Sequence, residues 1–194
     1  MQKIGLTGNI GSGKSLVAQI FKTFDIPVFE ADVEAKTILY SPEVSKKVVQ
    51  IFGYGILVDG SISRKKLANL AFNNPALLQK LNNIIHPAVK QKFKQWAELH
   101  ISKPYIIYEA AILFESGQYK EFDRIITVFA DPETRIQRVM QRDEVSRKLV
   151  LERMKNQWPD EKKNALADFV ISNNNEDLLI PQVENIHLKL SSSR

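Results

Sequence analysis

Short runs of apolar, β-branched residues alternate along the chain with longer segments whose apolar residues recur at helical spacing. Five such runs lie at 3–7, 26–30, 105–109, 124–130 and 169–172. Strands buried on both faces have continuous apolar sequences, so these runs predict a parallel sheet. The residues that share one helical face after the first run are Leu16, Val17, Ile20, Phe21 and Phe24. The chain is therefore predicted to open with a strand, a helix and a second strand.

Between Asp32 and Ser102 the pattern becomes almost wholly helical. Ser41 with Pro42, and Asn74 with Pro75, are signals for the start of a helix, and the Asp59-Gly60 pair predicts a turn. His86 and Pro87 predict a break in the helix that starts at Asn74. We interpret this segment as a helical lobe inserted between two strands of the sheet.

Two helices are predicted in the last third of the chain. Asp131 is expected to cap the first of them, with Pro132 at its first position, and Asn175 is expected to cap the last helix.

Length and composition limit the class of protein. The 194 residues fit one domain, and 44% hydrophobic with 25% charged residues is typical of globular proteins. No apolar run approaches the roughly 18–20 residues of a membrane span, and the first residues lack the pattern of a signal peptide. We therefore expect a soluble, cytoplasmic protein without membrane association. The absence of cysteine excludes disulfides, thiolate zinc sites and a cysteine nucleophile.

The chain is basic, with 27 Lys and Arg against 22 Asp and Glu and a formal charge of +5. Residues 135–163 contain nine basic and five acidic side chains, so most of the excess lies in this segment. The excess is compatible with an anionic partner or simply with solubility. A nucleic-acid partner rests on this charge alone and would predict binding that weakens steeply with salt and does not depend on ATP; we expect no nucleic-acid partner.

A glycine-rich segment follows the first predicted strand and precedes the first amphipathic helix. It matches the phosphate-loop pattern of Gly, four residues, Gly, Lys and Ser or Thr with Gly8, Asn9, Ile10, Gly11, Ser12, Gly13, Lys14 and Ser15. Glycines let such a loop point backbone N–H groups at a triphosphate, and the following helix directs its positive end toward it. Lys14 supplies a cation for the β and γ phosphates, and Ser15 supplies a hydroxyl for Mg²⁺.

Acidic residues follow two of the predicted strands. Glu30 and Asp32 lie at the end of the second strand, where strand alternation would direct both to the same side, and Glu109 ends the strand at 105–109. Open α/β sheets bind ligands at the carboxyl ends of their strands, so these carboxylates are candidates for acceptor or metal chemistry. Asp32 also fits a helix cap, and the two roles are compatible. Glu115 fits a site residue and a solvated helix residue equally well.

Arg135, Arg138 and Arg142 are spaced i, i+3 and i+7, which predicts three guanidinium groups along one helical stripe. They fit either a phosphate clamp or a solvated face. The basic residues beyond them fit a mobile lid. His86 fits a helix junction or a ligand contact, because the histidines show no metal-ligand spacing.

The ordered set of motifs resembles the dephospho-CoA kinase family over essentially the whole length. The matching pieces are 6–15, Ala31-Asp32, 59–67 with Arg64, Ile85-His86-Pro87, 112–115, 137–142, Arg153 with Gln157, and 168–174. The resemblance implies a three-layer α/β P-loop kinase fold with a parallel sheet, a helical substrate lobe and a basic lid. The implied bounds are a core at 1–31, 103–134 and 164–194, a lobe at 32–102 and a lid at 135–163.

The resemblance also implies a reaction, in which the γ-phosphoryl group of ATP is transferred with Mg²⁺ to the ribose 3′-hydroxyl of dephospho-CoA. Asp32 would orient or deprotonate that hydroxyl, and Arg64, His86 and Glu109 would contact the substrate. The residues implied to bind ATP are the loop from Gly8 to Ser15 with Leu16, Arg138, Arg142 and Asn174. Arg142 would act from the lid during the reaction, and Asn174 would lie near the adenine.

Three residues depart from the family pattern. Leu16 replaces a threonine, and Glu30 and Glu109 stand where aspartate is usual. A switch GTPase would need an Asn-Lys-x-Asp segment for guanine, and the sequence has none. The nearer alternative is another small-molecule kinase, such as a nucleoside monophosphate kinase. A monomer or a weak homo-oligomer is expected.

Overall fold

A computed structural model of the chain describes residues 1–72 and 74–192. The chain folds into two compact units, Met1–Glu30 with His100–Arg194, and Ala31–Leu99. The division of the chain into a substrate lobe and a lid remains a prediction, and the last two residues of the predicted core segment lie outside the described residues.

The first unit is built on a parallel sheet of five strands. These strands are β1 (Gln2–Thr7), β2 (Val28–Glu30), β5 (Tyr105–Glu109), β6 (Arg124–Phe129) and β7 (Phe169–Ser172). Their order in the sheet is β2-β5-β1-β6-β7, and every pair is parallel. The five predicted strands and their parallel arrangement are confirmed.

Helices α1 (Lys14–Thr23) and α9 (Leu179–Ser192) pack together against one face of the sheet. Their apolar residues form one buried cluster with the strands, and Ile4, Leu6, Phe21, Tyr105 and Ile107 are among its members. The remaining helices of the unit are α6 (Pro132–Asp143), α7 (Arg147–Met154) and α8 (Asp160–Leu166), of which α8 packs on β6. This arrangement fixes the carboxyl ends of β1, β5, β6 and β7, which are followed by the loops that contain or adjoin the candidate site.

The second unit is almost wholly helical. It contains α2 (Ala31–Leu39), α3 (Pro42–Phe52), α4 (Arg64–Phe72) and α5 (Pro75–Glu98), and α5 packs against the other three helices. A short antiparallel hairpin of β3 (Leu57–Val58) and β4 (Ser61–Ile62) separates α3 from α4. Its turn residues Asp59 and Gly60 both have positive φ, as the predicted turn requires.

The predicted break at His86 and Pro87 is wrong, because α5 runs continuously from Pro75 to Glu98 with Pro87 inside it. A proline removes one backbone donor and crowds the preceding turn. The packing of α5 against three helices holds the helix together despite this local cost.

Two details of helix capping also differ from the prediction. Asn175 does not cap the last helix, which begins at Leu179, because Asp177 closes a turn by accepting hydrogen bonds from the Asn174 N–H and the Ser172 hydroxyl. Asp131 is the N-cap residue of α6, but its side chain makes no capping hydrogen bond. Asn74 does cap α5, since its Oδ1 accepts from the N–H groups of Ala76 and Leu77.

Candidate active site

The loop from Gly8 to Gly13 joins β1 to α1 and wraps tightly against its neighbours. Gly11 and Gly13 have φ values of 80° and 93°, and Gly13 is the N-cap of α1. A Cβ at Gly11 would lie 2.6 Å from the Arg135 carbonyl oxygen, and one at Gly13 would lie 2.1 Å from Nδ2 of Asn173. Both the backbone conformation and the surrounding space therefore require glycine at these positions.

Lys14 and Ser15 begin α1 directly after this loop. The first turn of α1 contains no acidic residue, so its positive end is left for an anion. Lys14 Nζ lies 4.0 Å from the Glu109 carboxylate, which is buried at the carboxyl end of β5. The structure therefore brings together a loop of backbone amides, a lysine cation and a carboxylate at one edge of the sheet. Leu16, also in the first turn, is half exposed.

The loop after β7 is hydrogen-bonded to the phosphate loop and supports it. Asn173 donates through Nδ2 to the Ser12 carbonyl oxygen at 2.7 Å, and Arg138 donates to the Asn173 carbonyl oxygen at 2.9 Å. Asn174 accepts from the Asp131 N–H at 2.9 Å. Arg138 and Asn174 therefore lie in the structure that surrounds the phosphate loop, although of these three residues it is Asn173, for which the sequence predicts no role, that bonds to the loop.

The three arginines of α6 do not share one environment, contrary to the predicted stripe. Arg135 is 3% exposed and pairs with Asp160 at 2.6 Å, whereas Arg138 binds the loop after β7. Arg142 is exposed and pairs with Asp143 at 2.7 Å, and Arg153 pairs with the same carboxylate. The hydrogen bond from Arg142 lowers the pKa of Asp143.

Glu115 is not a solvated helix residue, which was one of its two interpretations. Its Oε1 accepts from the Trp158 N–H at 2.8 Å and lies 2.7 Å from Nζ of Lys163, whose side chain is almost fully buried. Burial lowers the pKa of Lys163, against the opposing effect of Glu115. Trp158 stacks on Phe114.

The residues expected to bind the acceptor, apart from Glu109, belong to the second unit. Asp32 lies in the first turn of α2, Arg64 is the first residue of α4, and His86 lies within α5. Burial lowers the pKa of His86, so burial favours its neutral form. Glu30 belongs to the first unit, where it pairs with Lys22. Strand alternation does not extend to Asp32, because β2 ends at Glu30 and α2 begins at Ala31.

The donor groups fit ATP with Mg²⁺. The loop amides and Lys14 offer hydrogen-bond donors and positive charge to phosphate oxygens, while the Ser15 hydroxyl and the Glu109 carboxylate are the hard oxygen ligands that Mg²⁺ prefers. Within 1–72 and 74–192 no group of three or more histidines and carboxylates could hold a metal. Magnesium in kinases commonly binds through one or two side chains together with phosphate oxygens and water, so such a group is not required.

The parallel sheet, the glycine-rich loop and the lysine at the start of α1 define a P-loop fold, which kinases share with other P-loop proteins. Among solved structures, a shikimate kinase from Acinetobacter baumannii shares this fold with a TM-score of 0.52 at 14% identity, covering 100% of this chain and 95% of that one. The dephospho-CoA kinase family model matches residues 2–178. The chain belongs to the dephospho-CoA kinase family.

Individual relatives support this assignment. The chain is 37% identical to the dephospho-CoA kinase of Bacteroides fragilis over 182 residues, which cover 93% of this chain and 89% of that protein. It is 40% identical to that of Fusobacterium nucleatum over 178 residues, covering 90% and 92%. The dephospho-CoA kinase structure from Campylobacter jejuni superposes with a TM-score of 0.71 at 26% identity, covering 97% of this chain and 96% of that one.

Proposed function

We propose that the protein transfers the γ-phosphoryl group of ATP to the ribose 3′-hydroxyl of dephospho-CoA, giving coenzyme A and ADP. The observation that carries this proposal is the family match over 2–178, which includes a complete phosphate loop. A nucleoside monophosphate kinase is not favoured, because the relatives at 37–40% identity are dephospho-CoA kinases.

In this reaction the phosphate loop holds ATP. Backbone amides of the loop and the amino end of α1 bind the β and γ phosphates, and Lys14 offsets their charge. Its contact with the buried Glu109 keeps the ammonium group at the carboxyl edge of the sheet. Ser15 and Glu109 are the side chains that would hold Mg²⁺, whose chemistry when bound is to neutralise charge on the phosphate oxygens.

The acceptor side is assigned to residues of the helical unit. The 3′-hydroxyl oxygen attacks the γ-phosphorus, the bond from that phosphorus to the β–γ bridging oxygen breaks, and ADP leaves. Asp32 orients the hydroxyl and receives its proton, which is a role a carboxylate can perform at neutral pH. Arg64 offers a charge to the anionic groups of dephospho-CoA, and His86 offers a neutral imidazole.

The basic helices after β6 are assigned to the nucleotide side. Arg142 would leave Asp143 and stabilise charge on the transferring phosphoryl group, which is a known role of arginine in phosphoryl transfer. Arg138 and Asn174 would border the nucleotide next to the loop that Asn173 supports.

Among the described residues, no helix combines the length and the apolar character that a membrane span needs. We further propose a cytoplasmic enzyme that acts as a monomer or a weak homo-oligomer.

An acceptor screen tests this proposal. The purified chain is incubated with ATP, Mg²⁺ and one of dephospho-CoA, AMP, CMP or shikimate, and ADP formation is measured together with the phosphorylated product. We expect coenzyme A from dephospho-CoA and at least about tenfold lower kcat/KM with every other acceptor. Preferred phosphorylation of AMP or CMP would contradict the proposal and support the nucleoside monophosphate kinase.

A further inference from the structure

The first half of the phosphate loop is bonded to one distant segment of the chain, at residues 157–160. Asn9 donates through Nδ2 to the Trp158 carbonyl oxygen at 3.1 Å and to Oδ1 of Asp160 at 2.9 Å. The Ile10 N–H donates to Oε1 of Gln157 at 2.8 Å. These contacts span about 150 residues of sequence, so the folded chain makes them and local structure does not.

Asp160 also holds the start of α6. Its Oδ2 accepts from Arg135 at 2.6 Å, while its Oδ1 accepts from Asn9. Arg135 donates through Nε to the Ala130 carbonyl oxygen at 2.9 Å, which closes the connection to the end of β6. Each oxygen of one carboxylate therefore serves a different partner. We call Asn9, Arg135, Gln157 and Asp160 the loop anchor.

The loop anchor is largely excluded from water. Asn9 and Arg135 are each 3% exposed, and the side chain of Asp160 is 12% exposed. A charged hydrogen bond is stronger in such surroundings than at the surface, and an unpaired buried charge is costly. A buried arginine in this position therefore needs a carboxylate, and Asp160 supplies it.

The loop anchor contains a residue of α6 and two residues that follow α7, so it joins the two ends of the basic segment. Arg135 lies in α6 about two turns before Arg142, or about 10 Å along the helix axis. Asp160 and Gln157 lie after α7, which contains Arg153. The segment from α6 through α7 thus leaves the phosphate loop at Arg135 and returns to it at Gln157 and Asp160. The second end is bonded directly to Asn9 and Ile10, and the first end is joined to Asn9 through Asp160. Arg142 and Arg153 between the two ends are exposed and bind Asp143.

We propose that Asp160 is a positioning residue for phosphoryl transfer: by joining Asn9 of the phosphate loop to Arg135 of α6, it sets the arginines of α6 and α7 relative to the phosphates. Asp160 does not touch the reacting atoms in this role. It acts through Asn9 and Arg135, and its effect is expected in the turnover number more than in nucleotide binding. The inference rests on the proposed function, because it needs a nucleotide in the loop.

Asp160→Asn is the variant that tests the positioning role. An asparagine replaces one of the two carboxylate oxygens with an NH2 group, so in the same position it would set a donor against the donor of either Asn9 or Arg135. We expect kcat for ATP and dephospho-CoA to fall at least about tenfold, with a change of less than about threefold in the Kd of a fluorescent ATP analogue. A kcat within twofold of the unmodified chain, at a temperature where the variant is folded, would overturn the proposal.

Asp168→Asn is the matched control. Like Asp160, Asp168 uses both carboxylate oxygens: Oδ2 accepts from the Ile125 N–H at 2.7 Å, and Oδ1 lies 3.6 Å from Nε of Arg124. It does so at the amino end of β6, the opposite edge of the sheet from the phosphate loop. We expect this variant to lose thermal stability and to keep kcat. An equal loss of kcat in both variants would mean that the effect of Asp160 is general destabilisation, and would also overturn the proposal.

A second variant keeps the test decisive if Asp160→Asn fails to fold. Asn9→Ala removes the loop side of the anchor and leaves the ion pair between Arg135 and Asp160 in place. We expect a similar loss of kcat from Asn9→Ala, and in the double variant less than twofold further loss, since both changes break one connection. If the loss of kcat in the double variant equalled the product of the two separate losses, the residues would act independently, contrary to the proposal.

Hydrogen exchange separates failure of this inference from failure of the proposed function. An unmodified chain that phosphorylates no dephospho-CoA would contradict the function but not the anchor. Whether or not the unmodified chain phosphorylates dephospho-CoA, hydrogen exchange of the backbone amides of 8–15 and of 143–156 is measured with Mg²⁺ and ATP present. We expect at least about tenfold faster exchange at both segments in Asp160→Asn than in Asp168→Asn. Equal exchange in the two variants would overturn the positioning role.

Discussion

At the residue scale, Lys14 is the cation that we expect the phosphate loop to present to ATP. Its Nζ lies 4.0 Å from the buried Glu109, so it occupies the carboxyl edge of the sheet and not the solvent. We expect Lys14→Ala to lower kcat/KM at least about a hundredfold, because charge on the β and γ phosphates loses its main side-chain partner. Lys22→Ala, on the same helix, removes an exposed ion pair with Glu30 and should leave kcat unchanged. Steady-state kinetics of both variants is the measurement, and near-normal turnover of folded Lys14→Ala would exclude the role.

Asp32 can be tested separately as a proton acceptor and as a helix residue. Asp32→Asn keeps the shape of the side chain and removes its charge, and we expect kcat to fall about 10²–10⁴-fold while ATP still binds. As Asp32 lies in the first turn of α2, the interaction of its charge with the helix dipole should contribute about 0.3–1 kcal/mol to stability. Single-turnover transfer from ATP to dephospho-CoA distinguishes the two roles.

Glu34→Gln provides the control for Asp32. Glu34 lies in the same turn of α2 and pairs with Lys92 of α5, so this variant also loses a carboxylate from the amino end of the helix. It should retain the transfer rate. If Asp32→Asn behaved like Glu34→Gln, the carboxylate would be structural.

At the scale of elements, the strands could be predicted from sequence and the ends and interruptions of helices only in part. A buried parallel strand has a continuous apolar run, which β1, β5 and β6 in the middle of the sheet show, whereas the outer strands β2 and β7 are only partly buried. Pro87 gave the wrong result because its local cost is overcome by packing of α5 against three other helices. Asn175 failed as a cap because Asp177, two residues further on, closes the preceding turn.

The phosphate loop could be predicted because its chemistry is local in sequence, and its supports could not because they are distant. Asp160 and Asn9 are 151 positions apart, and Asn173 and Ser12 are 161 apart. Helical spacing correctly placed Arg135, Arg138 and Arg142 on one helix, but it could not show that Arg135 is buried against Asp160. The signal in the sequence that Arg135 is buried is its position on the apolar side of α6, next to Ile136 and Val139, which are also buried.

The basic segment of α6 and α7 is expected to act through Arg142. Arg142 and Arg153 both pair with Asp143, so two cations share one counter-ion that ATP phosphates would replace. Arg142→Ala should lower kcat by a factor of roughly 10³. Arg124→Ala, which removes an exposed guanidinium at the opposite edge of the sheet, should have no effect on kcat. A loss of less than tenfold in Arg142→Ala, measured at saturating ATP, would leave Arg142 as a solvated residue.

At the scale of the whole molecule, the last helix is joined to the sheet by a buried tyrosine. The Tyr105 hydroxyl lies 2.8 Å from Nδ1 of His187, and the His187 ring stacks on Phe24 of the segment after α1. Tyr105 is fully buried on β5, between β2 and β1 in the sheet. The contact therefore connects the first helical segment, the middle of the sheet and α9.

The pH dependence of stability should report this contact. Burial raises the pKa of Tyr105 above its usual value of about 10, so the folded chain keeps a proton that the unfolded chain releases. The stabilisation of the folded chain by this retained proton is complete below about pH 10 and is lost as the pH rises toward the pKa of Tyr105 in the folded state. Between roughly pH 10 and 11.5, Tyr105 should lower the free energy of unfolding by up to about 1.4 kcal/mol per pH unit.

Tyr105→Phe isolates that contribution. The variant loses one hydrogen bond and leaves Nδ1 of His187 without this partner, so at pH 8 it should be about 1–3 kcal/mol less stable. Phenylalanine does not titrate, and the difference in the free energy of unfolding between the two chains should therefore shrink as the pH rises above 10. Tyr54→Phe is the control, because Tyr54 is 82% exposed and its replacement should leave the pH dependence unchanged. Urea unfolding of the three chains at pH 8, 10 and 11 provides the measurement, and a constant difference between Tyr105→Phe and the unmodified chain would show that the tyrosine hydroxyl does not couple proton release to folding.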